Sequence, residues 1–540
     1  MKRDFSRLDK ETFDLIIVGG GILGAGVARD ASLRGFHTLL VEKEDFAYGT
    51  TSRSTRLIHG GLRYLRTMQF KLVRHDLIER KILLRIAPHL VHELKFLIPA
   101  LRSEPFYRYT LHLGLTLYDL MATGHTLHRW HHLSQKETLK QEPGLGKIDG
   151  LTGSFLYYDC QAELMERLCI ENLLSADDKG ACILNHATAT ELLMEGDNVS
   201  GIELRDNLTL EEYTANGRVV LNAGGHWADL VWKEFYILSK NKLRRTKGIH
   251  LFTKKVSENA LVLFAKSDGR LFFVVPWGDY SLVGTTDTDY TGDPDVVFAT
   301  TSDVNYLVTE MRHYFPQFSE DDIYYAMAGL RPLVSEENKA ASNTSRAHKL
   351  VDHGQENGVK GLITVLGGKI TAYRGIAEEI TDLVCNKFGK HVPCTTASTP
   401  LQGMPAVQND EMEKAAQQYN LPLTTVQYLV NLYGARYIKV LNYIRINKRL
   451  GFPICESGPD ILAQIQYAVA EESAKTLNDF MLRRTNIGWG PIQGRDAVET
   501  VAAEMGLLLE WSGRDYQIQI EKYHDFLGEC QQFRTKAVKS

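Results

Sequence analysis

The sequence predicts an α/β protein, α+β overall, with a Rossmann-like dinucleotide-binding unit, an antiparallel sheet and a C-terminal region made of helices. An apolar strand, a glycine turn, a helix and a second strand follow one another between residues 13 and 42. Three apolar runs separated by Ser-Asp-Gly and Gly-Asp turns lie between residues 261 and 286. The first pattern is typical of a βαβ unit, and the second of antiparallel strands.

The length of the chain indicates more than one domain. At 540 residues it exceeds what one hydrophobic core normally holds. We expect a nucleotide-binding domain at 1–395, interleaved with a substrate-binding sheet at about 80–150 and 225–335. A Pro/Thr/Ser-rich stretch at 393–404 separates it from an all-helical domain at 396–540, whose predicted helices include 461–485 and 512–528.

Composition excludes several classes of protein. The net charge of −4 argues against a general nucleic-acid binder, because neutralising phosphates needs a basic surface. The seven scattered cysteines favour a reducing cytoplasm, and we expect no metal site. The N-terminus lacks the features of a signal peptide, and no run of about 20 apolar residues predicts a spanning helix. A membrane could therefore be contacted only at its surface.

Periodicity predicts the elements around the βαβ unit. Apolar residues at helical spacing predict a helix over 70–86, which Pro88 ends, and a second helix is expected around 162–176. Strands are expected at 181–193, 199–205 and 218–223. A last strand at 361–366 leads through a glycine pair into a helix at 370–388.

The glycine turn is the first candidate site. Gly19 permits the tight bend, Gly21 lets the backbone approach a pyrophosphate, and Gly24 lets the helix pack closely on the strand. The phosphates would then lie at the positive end of the helix. Glu42, at the end of the second strand, is placed to bind a ribose diol. The alternative is a purely structural glycine-rich turn.

The following stretch, 49–64, favours FAD over NAD, because a classical NAD domain would continue into another βα unit. Two further glycine turns, at the ends of strands, are spaced as additional contacts for one long cofactor, and the second could stabilise a reduced flavin. Each could also be an ordinary turn or polar surface loop. The predicted contacts in these three segments are Thr51, Ser52, Ser54, His59, Gly61, Ala223, Gly224, Gly368 and Thr371.

Four motifs resemble the FAD-dependent glycerol-3-phosphate dehydrogenases, the aerobic and quinone-linked enzymes. They are SRSTRLIHGGLRYL from residue 52, KGIH at 247–250, GLRPL at 329–333 and GGKITAYR at 367–374. The resemblance covers about residues 10–390, and AKTLNDFMLRRT at 474–485 is similar to that family's C-terminal cap. It implies an FAD-binding domain of the D-amino-acid-oxidase/glutathione-reductase type.

The resemblance also implies an activity and a location. We expect oxidation of sn-glycerol 3-phosphate to dihydroxyacetone phosphate, by hydride transfer from C2 to FAD N5, with the electrons passed to a membrane quinone. The enzyme is expected in the cytoplasm, peripheral on the inner face of the cell membrane. The oligomeric state stays open, with a homodimer as one alternative.

Basic residues in the same motifs make chemical sense of this activity. Arg63, Arg331 and Lys369 are expected to bind the phosphate, with Tyr64 as a neutral donor, because a phosphate dianion needs fixed positive charge. His250 matches the family's active-site histidine and would act as the base or anchor the substrate hydroxyl. We therefore expect the catalytic residues to be His250, Arg331 and Lys369. His59 is the rival base.

Three alternative functions stay open at this point. A glycerol-3-phosphate oxidase would use oxygen instead of quinone, an amine or amino-acid oxidase would share the fold, and a flavin-binding assembly protein would not be catalytic. The surplus of basic residues disfavours the second. Residues 95–132 interleave basic and aromatic side chains, which indicates either a membrane surface or a buried helix with a polar edge.

Overall fold

A computed structural model describes residues 1–103, 105–124, 127–239, 243–335, 346–401, 407–456 and 458–534. Within these ranges the first sheet has eight strands. They are β1 (Thr12–Val18), β2 (Thr38–Val41), β7 (Cys182–Leu184), β8 (Ala187–Glu195), β9 (Asn198–Asp206), β10 (Glu212–Asn222), β17 (Lys349–Asp352) and β18 (Leu362–Leu366).

The second sheet has ten strands in the same described ranges. They are β3 (Leu57–Ile58), β4 (His92–Leu101), β5 (His131–Ser134), β6 (Leu151–Gln161), β11 (Leu243–Lys254), β12 (Ala260–Phe264), β13 (Leu271–Trp277), β14 (Tyr280–Gly284), β15 (Thr288–Asp289) and β16 (Ile323–Val334).

Helices connect the strands and make up most of the chain after residue 407. They are α1 (Ile22–Leu33), α2 (Phe70–Ile86), α3 (Pro105–Met121), α4 (Gln135–Gln141), α5 (Met165–Asp177), α6 (Ala228–Glu234), α7 (Thr301–Arg312), α8 (His353–Glu356), α9 (Tyr373–Lys387), α10 (Asn409–Tyr419), α11 (Leu423–Tyr433), α12 (Tyr437–Ile446), α13 (Leu462–Glu471), α14 (Leu477–Asp479), α15 (Val498–Leu509) and α16 (Gly513–Gln531).

The first sheet contains the predicted βαβ unit. Strand β1 lies between β10 and β2 and is parallel to both. Its residues Leu15, Ile16 and Ile17 are fully buried. Leu15 and Ile17 pack in a cluster with helices α1, α5 and α9, whereas Ile16 packs with residues of β8 and β9. Ligands of such sheets bind beyond the carboxyl ends of the strands, where neighbouring connections diverge. In this chain that point is the glycine turn after β1.

The second sheet confirms the predicted antiparallel strands. Strands β12, β13 and β14 pair in sequence order, and β14 continues onto β11. In this register His250 of β11 lies opposite Gly284 on one side and Met327 on the other. The histidine is therefore held at the centre of three paired strands.

One predicted helix, 461–485, is wrong as a single element. The structure has α13 at Leu462–Glu471, then a break, then α14 and a π-helical turn at Phe480–Arg484. Ser473 adopts a left-handed conformation with φ 55°, and Thr476 starts a new helix by forming a capping box with Asp479. The helix over 70–86 is confirmed, and the 370–388 helix begins with a 3₁₀ turn before α9.

A buried cluster of charged side chains joins the segment after this break, residues 479–484, to the nucleotide-binding sheet. Both oxygens of Asp45 accept hydrogen bonds from Arg484, at 2.7 and 2.9 Å, and Arg483 Nε adds a third at 2.6 Å. Asp479 bonds Arg483 and, at 2.9 Å, His186 Nε2. Asp45, His186 and Asp479 could bring ligand atoms to one metal ion, but the arginines already neutralise the two carboxylates.

Candidate active site

The glycine turn after β1 has the geometry of a dinucleotide-binding turn. Gly19 has φ 117°, and a Cβ there would lie 2.5 Å from Ala223 O, at the end of β10. A Cβ on Gly24 would collide with Gly19 O. The position of a Cβ on Gly21 is open, with Thr51 Oγ1 the nearest atom at 3.4 Å. Two glycines thus allow close packing, and the third leaves backbone free for a phosphate.

Glu42 lies at the end of β2, beside this turn. Its Oε2 accepts a hydrogen bond from Gly20 N at 2.6 Å, and its Oε1 accepts one from Glu44 N at 2.9 Å. Burial raises the pKa of Glu42. The carboxylate therefore braces the glycine turn in addition to standing where a ribose is expected.

The loop after Glu42 folds back onto the start of α1. Thr51 Oγ1 accepts a hydrogen bond from Ile22 N at 3.1 Å, so it lies at the helix N-terminus where a pyrophosphate would bind. Ser52 and Ser54 donate instead to carbonyls of their own loop. Gly224 N is bonded to Asn222 Oδ1, next to the Ala223 contact with Gly19.

The turn after β18 meets the turn after β3. Gly368 has φ 101°, and Thr371 Oγ1 lies 3.1 Å from His59 N and 3.2 Å from His59 O. Lys369 Nζ donates to His59 O and to the buried carboxylate of Asp76, the latter at 2.9 Å. The structure thereby brings together residues that are about 310 positions apart.

Basic side chains lie close together near the contact between these two turns. Lys369 Nζ lies 3.0 Å from where a Cβ of Gly61 would stand and 5.5 Å from the ring centre of Tyr64, and Arg63 covers the same ring at 5.2 Å. The charge of Arg63 acts on Arg331, whose pKa burial lowers to about 10. Arg331 is still a cation at neutral pH. These four predicted phosphate ligands are therefore neighbours.

Arg331 is bonded to a loop that the sequence did not single out. Its Nη2 donates to Thr285 Oγ1 at 2.6 Å and to Thr286 O at 3.1 Å, while Nη1 lies 3.2 Å from Asp287 Oδ1. Asp287 Oδ2 accepts a second hydrogen bond from Arg346 Nη2 at 2.8 Å. Asp287 and Arg346 have no motif signal, since only folding brings their segments together.

His250 is buried beside this cluster. Its Nε2 lies 2.9 Å from Thr55 Oγ1, and among the described residues its buried Nδ1 has no hydrogen-bond partner. Burial, together with the charges of Arg331 and Arg56, lowers the pKa of His250 to about 3. Burial and the charges of Lys369 and Arg63 also lower the pKa of His59. Both imidazoles are therefore neutral at physiological pH.

Two family models match the chain. "FAD dependent oxidoreductase" matches residues 14–383, and "C-terminal domain of alpha-glycerophosphate oxidase" matches residues 394–516. A glycerol-3-phosphate dehydrogenase of Synechocystis sp. is 37% identical over 97% of this chain and 98% of its own length. An aerobic glycerol-3-phosphate dehydrogenase of Staphylococcus haemolyticus is 36% identical over 88% and 87%.

Solved structures agree with these matches. The glycerol-3-phosphate dehydrogenase of Bacillus halodurans, complexed with FAD, superposes with a TM-score of 0.80 at 28% identity, covering 99% of this chain and 98% of that one. An L-alpha-glycerophosphate oxidase of Mycoplasma pneumoniae with FAD bound shares the fold, at TM-score 0.55 and 18% identity over 74% of this chain and all of that one. The cofactor of this chain is thus FAD. The chain belongs to the FAD-dependent oxidoreductases and, within them, to the FAD-dependent glycerol-3-phosphate dehydrogenases.

Proposed function

We propose that the protein oxidises sn-glycerol 3-phosphate to dihydroxyacetone phosphate and passes the electrons to a membrane quinone. The observation that carries this proposal is the gathering of Arg63, Tyr64, Arg331 and Lys369 at one place next to two neutral histidines. Such a site combines fixed positive charge for a phosphate ester with a group that can accept a proton from an alcohol.

Each residue has a separate task in the proposed reaction. The arginines and Lys369 hold the phosphate and so orient C2 of the substrate. FAD, when bound, supplies the acceptor for the hydride that leaves C2. The hydroxyl proton goes to His250, or to His59 if that imidazole is the base, and the C2–O bond becomes a carbonyl. A neutral imidazole can take this proton, and a phosphate dianion on Arg331 would offset the positive charge that opposes it.

Replacing Arg331 by Ala tests the phosphate assignment. We expect KM for glycerol 3-phosphate to rise about 10- to 150-fold, because a hydrogen bond to a charged group contributes about 1.5 to 3 kcal/mol. The flavin content should be unchanged, since Arg331 lies on β16 and not on the glycine turn. Unchanged kinetics in this variant would show that the phosphate binds elsewhere.

The electron acceptor separates a dehydrogenase from a glycerol-3-phosphate oxidase. We propose the quinone because relatives that match 97% and 88% of the chain are named dehydrogenases. The oxidase stays the alternative, since the helical domain matches a model named for one. Peroxide formation under air, compared with the reduction of a water-soluble quinone analogue, distinguishes the two. An amine or amino-acid oxidase is disfavoured by the number of cations around the site.

Helix α3 is the surface that we propose contacts the inner face of the cell membrane. One of its faces is buried through Leu115 and Tyr118, whereas Tyr109, Leu113 and Leu120 on the other are 78, 71 and 68% exposed. An exposed apolar stripe on a helix with basic neighbours is typical of interfacial binding. In the residues that the structure describes, no helix is long and apolar enough to cross a bilayer. Residues 104, 125 and 126 of the predicted stretch lie outside the described ranges.

Two measurements test this location and the oligomeric state. Replacing Leu113 and Leu120 by Glu should reduce sedimentation with anionic vesicles while leaving turnover with a soluble acceptor unchanged. Equal sedimentation of variant and wild type would exclude α3 as the contact. Light scattering in detergent decides between the monomer and the proposed homodimer.

A further inference from the structure

A carboxylate lies in the middle of the proposed phosphate site, where it is unexpected. Asp287 follows β14 and is only 11% exposed, and the charges of Arg331, Arg346 and Arg63 all act on it. Burial would raise the pKa of Asp287, but Arg331 and Arg346 hold it below its usual value. An ionised acid at this place would repel a phosphate dianion, so its presence needs another physical reason.

The contacts of Asp287 suggest that reason. Its two oxygens are divided between two arginines, with Oδ1 3.2 Å from Arg331 Nη1 and Oδ2 2.8 Å from Arg346 Nη2. The two arginines reach it from different segments, one from β16 and the other from the chain before β17. Among the described residues, Arg346 Nη1 is buried without a hydrogen-bond partner, on a side chain that is 10% exposed. The pairing of Asp287 with the two arginines therefore leaves Nη1 of Arg346 able to donate a hydrogen bond to a ligand.

We propose that Asp287 is a positioning residue that holds Arg331 and Arg346 side by side before the substrate arrives, and so sets the affinity of the site for the phosphate group. This inference rests on the proposed function, since it assigns the ligand of that same site. Two guanidinium groups repel each other when no anion lies between them. With Asp287 in place they are already paired with one anion, and the substrate does not have to bring them together.

The alternative to this proposal predicts the opposite change in phosphate binding. If Asp287 only competes with phosphate for the two arginines, then removing its charge should tighten phosphate binding. If it positions them, removing its charge should weaken binding, although a saturating substrate could still organise the arginines. The sign of the change in KM therefore separates positioning from competition.

The experiment compares Asp287→Asn with wild-type holoenzyme. We expect KM for glycerol 3-phosphate to rise at least about 10-fold, equivalent to about 1.4 kcal/mol, with kcat within about 3-fold. Asp287→Glu, which keeps the charge, should recover part of the loss. Asp289→Asn is the matched control, because Asp289 lies two residues further along the chain, in β15, and pairs with Arg244 at 2.6 Å. Its KM should equal that of wild type.

A binding measurement keeps the test independent of turnover. Inorganic phosphate is titrated into each holoenzyme while the absorbance spectrum of the bound flavin is followed. We expect weaker phosphate binding in Asp287→Asn than in wild type, even if glycerol 3-phosphate proved not to be the substrate. If the wild-type protein bound phosphate but did not turn over glycerol 3-phosphate, this result would count against the proposed function and not against the role of Asp287.

Several outcomes would overturn the inference. They are an unchanged or lower KM in Asp287→Asn, a loss confined to kcat, or phosphate binding equal to that of wild type. If the Asn variant does not purify with FAD, the smaller Asp287→Ser takes its place with the same criteria. An equal rise of KM in Asp289→Asn would also overturn it, since the effect would then not be specific to Asp287.

Discussion

At the scale of single residues, the site depends on which groups are charged and which are neutral. Arg331 keeps its charge although it is largely enclosed, while burial and the neighbouring cations keep His250 and His59 neutral. An imidazole whose pKa lies far below 7 is present as the free base over the whole physiological range. Neutral imidazoles are thus present at the proposed site before any substrate binds.

Replacing each histidine by Asn identifies the base. We expect His250→Asn to lower kcat about 100- to 10,000-fold, the range for loss of general base catalysis, while His59→Asn mainly weakens flavin binding. Because the pKa of His250 is lowered to about 3, His250 does not change its protonation between pH 8 and 6, and wild-type kcat should not vary with pH on its account. The rate of flavin reduction in a stopped-flow experiment measures the effect of each substitution and of pH. If only His59→Asn abolishes reduction, the proton goes to His59 instead.

Part of this site could be predicted from residues alone. Gly19 and Gly24 occur in a motif in which the close approach of the backbone restricts the residue type, so the turn that they form could be predicted from local sequence. Asp287 and Arg346 could not, because an acid or an arginine in a loop is more often a solvated surface charge. Their pairing appears only when β16 and the segment before β17 meet.

At the scale of elements, the glycine turn after β1 is the place where we propose that the fold holds the cofactor. The turn and the start of α1 are fixed from three sides, by Glu42, Thr51 and Ala223. Gly21 is the N-cap of α1 and has an ordinary φ of −71°, so the backbone does not require glycine there, and we propose that the ligand does. Gly24 has the opposite role, since its Cβ would meet the backbone of Gly19.

Two alanine substitutions separate these roles. Gly21→Ala should leave the thermal unfolding of the apoprotein unchanged and weaken FAD binding at least about 10-fold, because a methyl group would enter the space of the pyrophosphate. Gly24→Ala should lower the unfolding temperature as well, because helix and strand can no longer approach. Calorimetry and FAD titration measure both properties. A Gly21→Ala variant with wild-type affinity for FAD would contradict the assignment of the turn.

Elements were predictable where one physical rule dominates. Helix α2 has a regular apolar stripe and a following proline, and its predicted bounds match the structure. The predicted helix over 461–485 failed because helix-forming composition hides the break at Ser473. After the break, Arg483 and Arg484 donate hydrogen bonds to Asp45, and Arg483 also donates to Asp479, so the segment is held by tertiary contacts. Local periodicity carries no information about such a contact.

At the scale of the whole molecule, buried ion pairs fasten the C-terminal helices to the FAD-binding sheet. Asp45 and Asp479 are fully buried, and burial alone would raise both pKa values. The charges of Arg484 and Arg483 hold the pKa of Asp45 below its usual value, and His186 is the first of the partners that lower that of Asp479. Removing one member of such a cluster leaves an unpaired buried charge.

Asp45→Asn should destabilise the protein by about 3 to 5 kcal/mol at pH 7. Since the folded pKa of Asp45 is depressed, its contribution is complete above the unfolded value of about 3.9 and is lost as pH falls through the folded pKa. The difference between variant and wild type should therefore shrink below about pH 4. Urea unfolding of the holoenzyme measures it, with Asp382→Asn as the control, because that carboxylate is 59% exposed. A constant difference across this pH range would contradict the ionic explanation.

At the scale of the whole molecule, the proposed function requires that glycerol 3-phosphate reduces the bound flavin. Anaerobic titration of the FAD-loaded protein with glycerol 3-phosphate tests cofactor, phosphate site and proton acceptor together. We expect the long-wavelength absorbance of the bound flavin to disappear stoichiometrically, and glycerol without phosphate to act far more weakly. A flavin that stays bound and oxidised in excess glycerol 3-phosphate would contradict the proposed function.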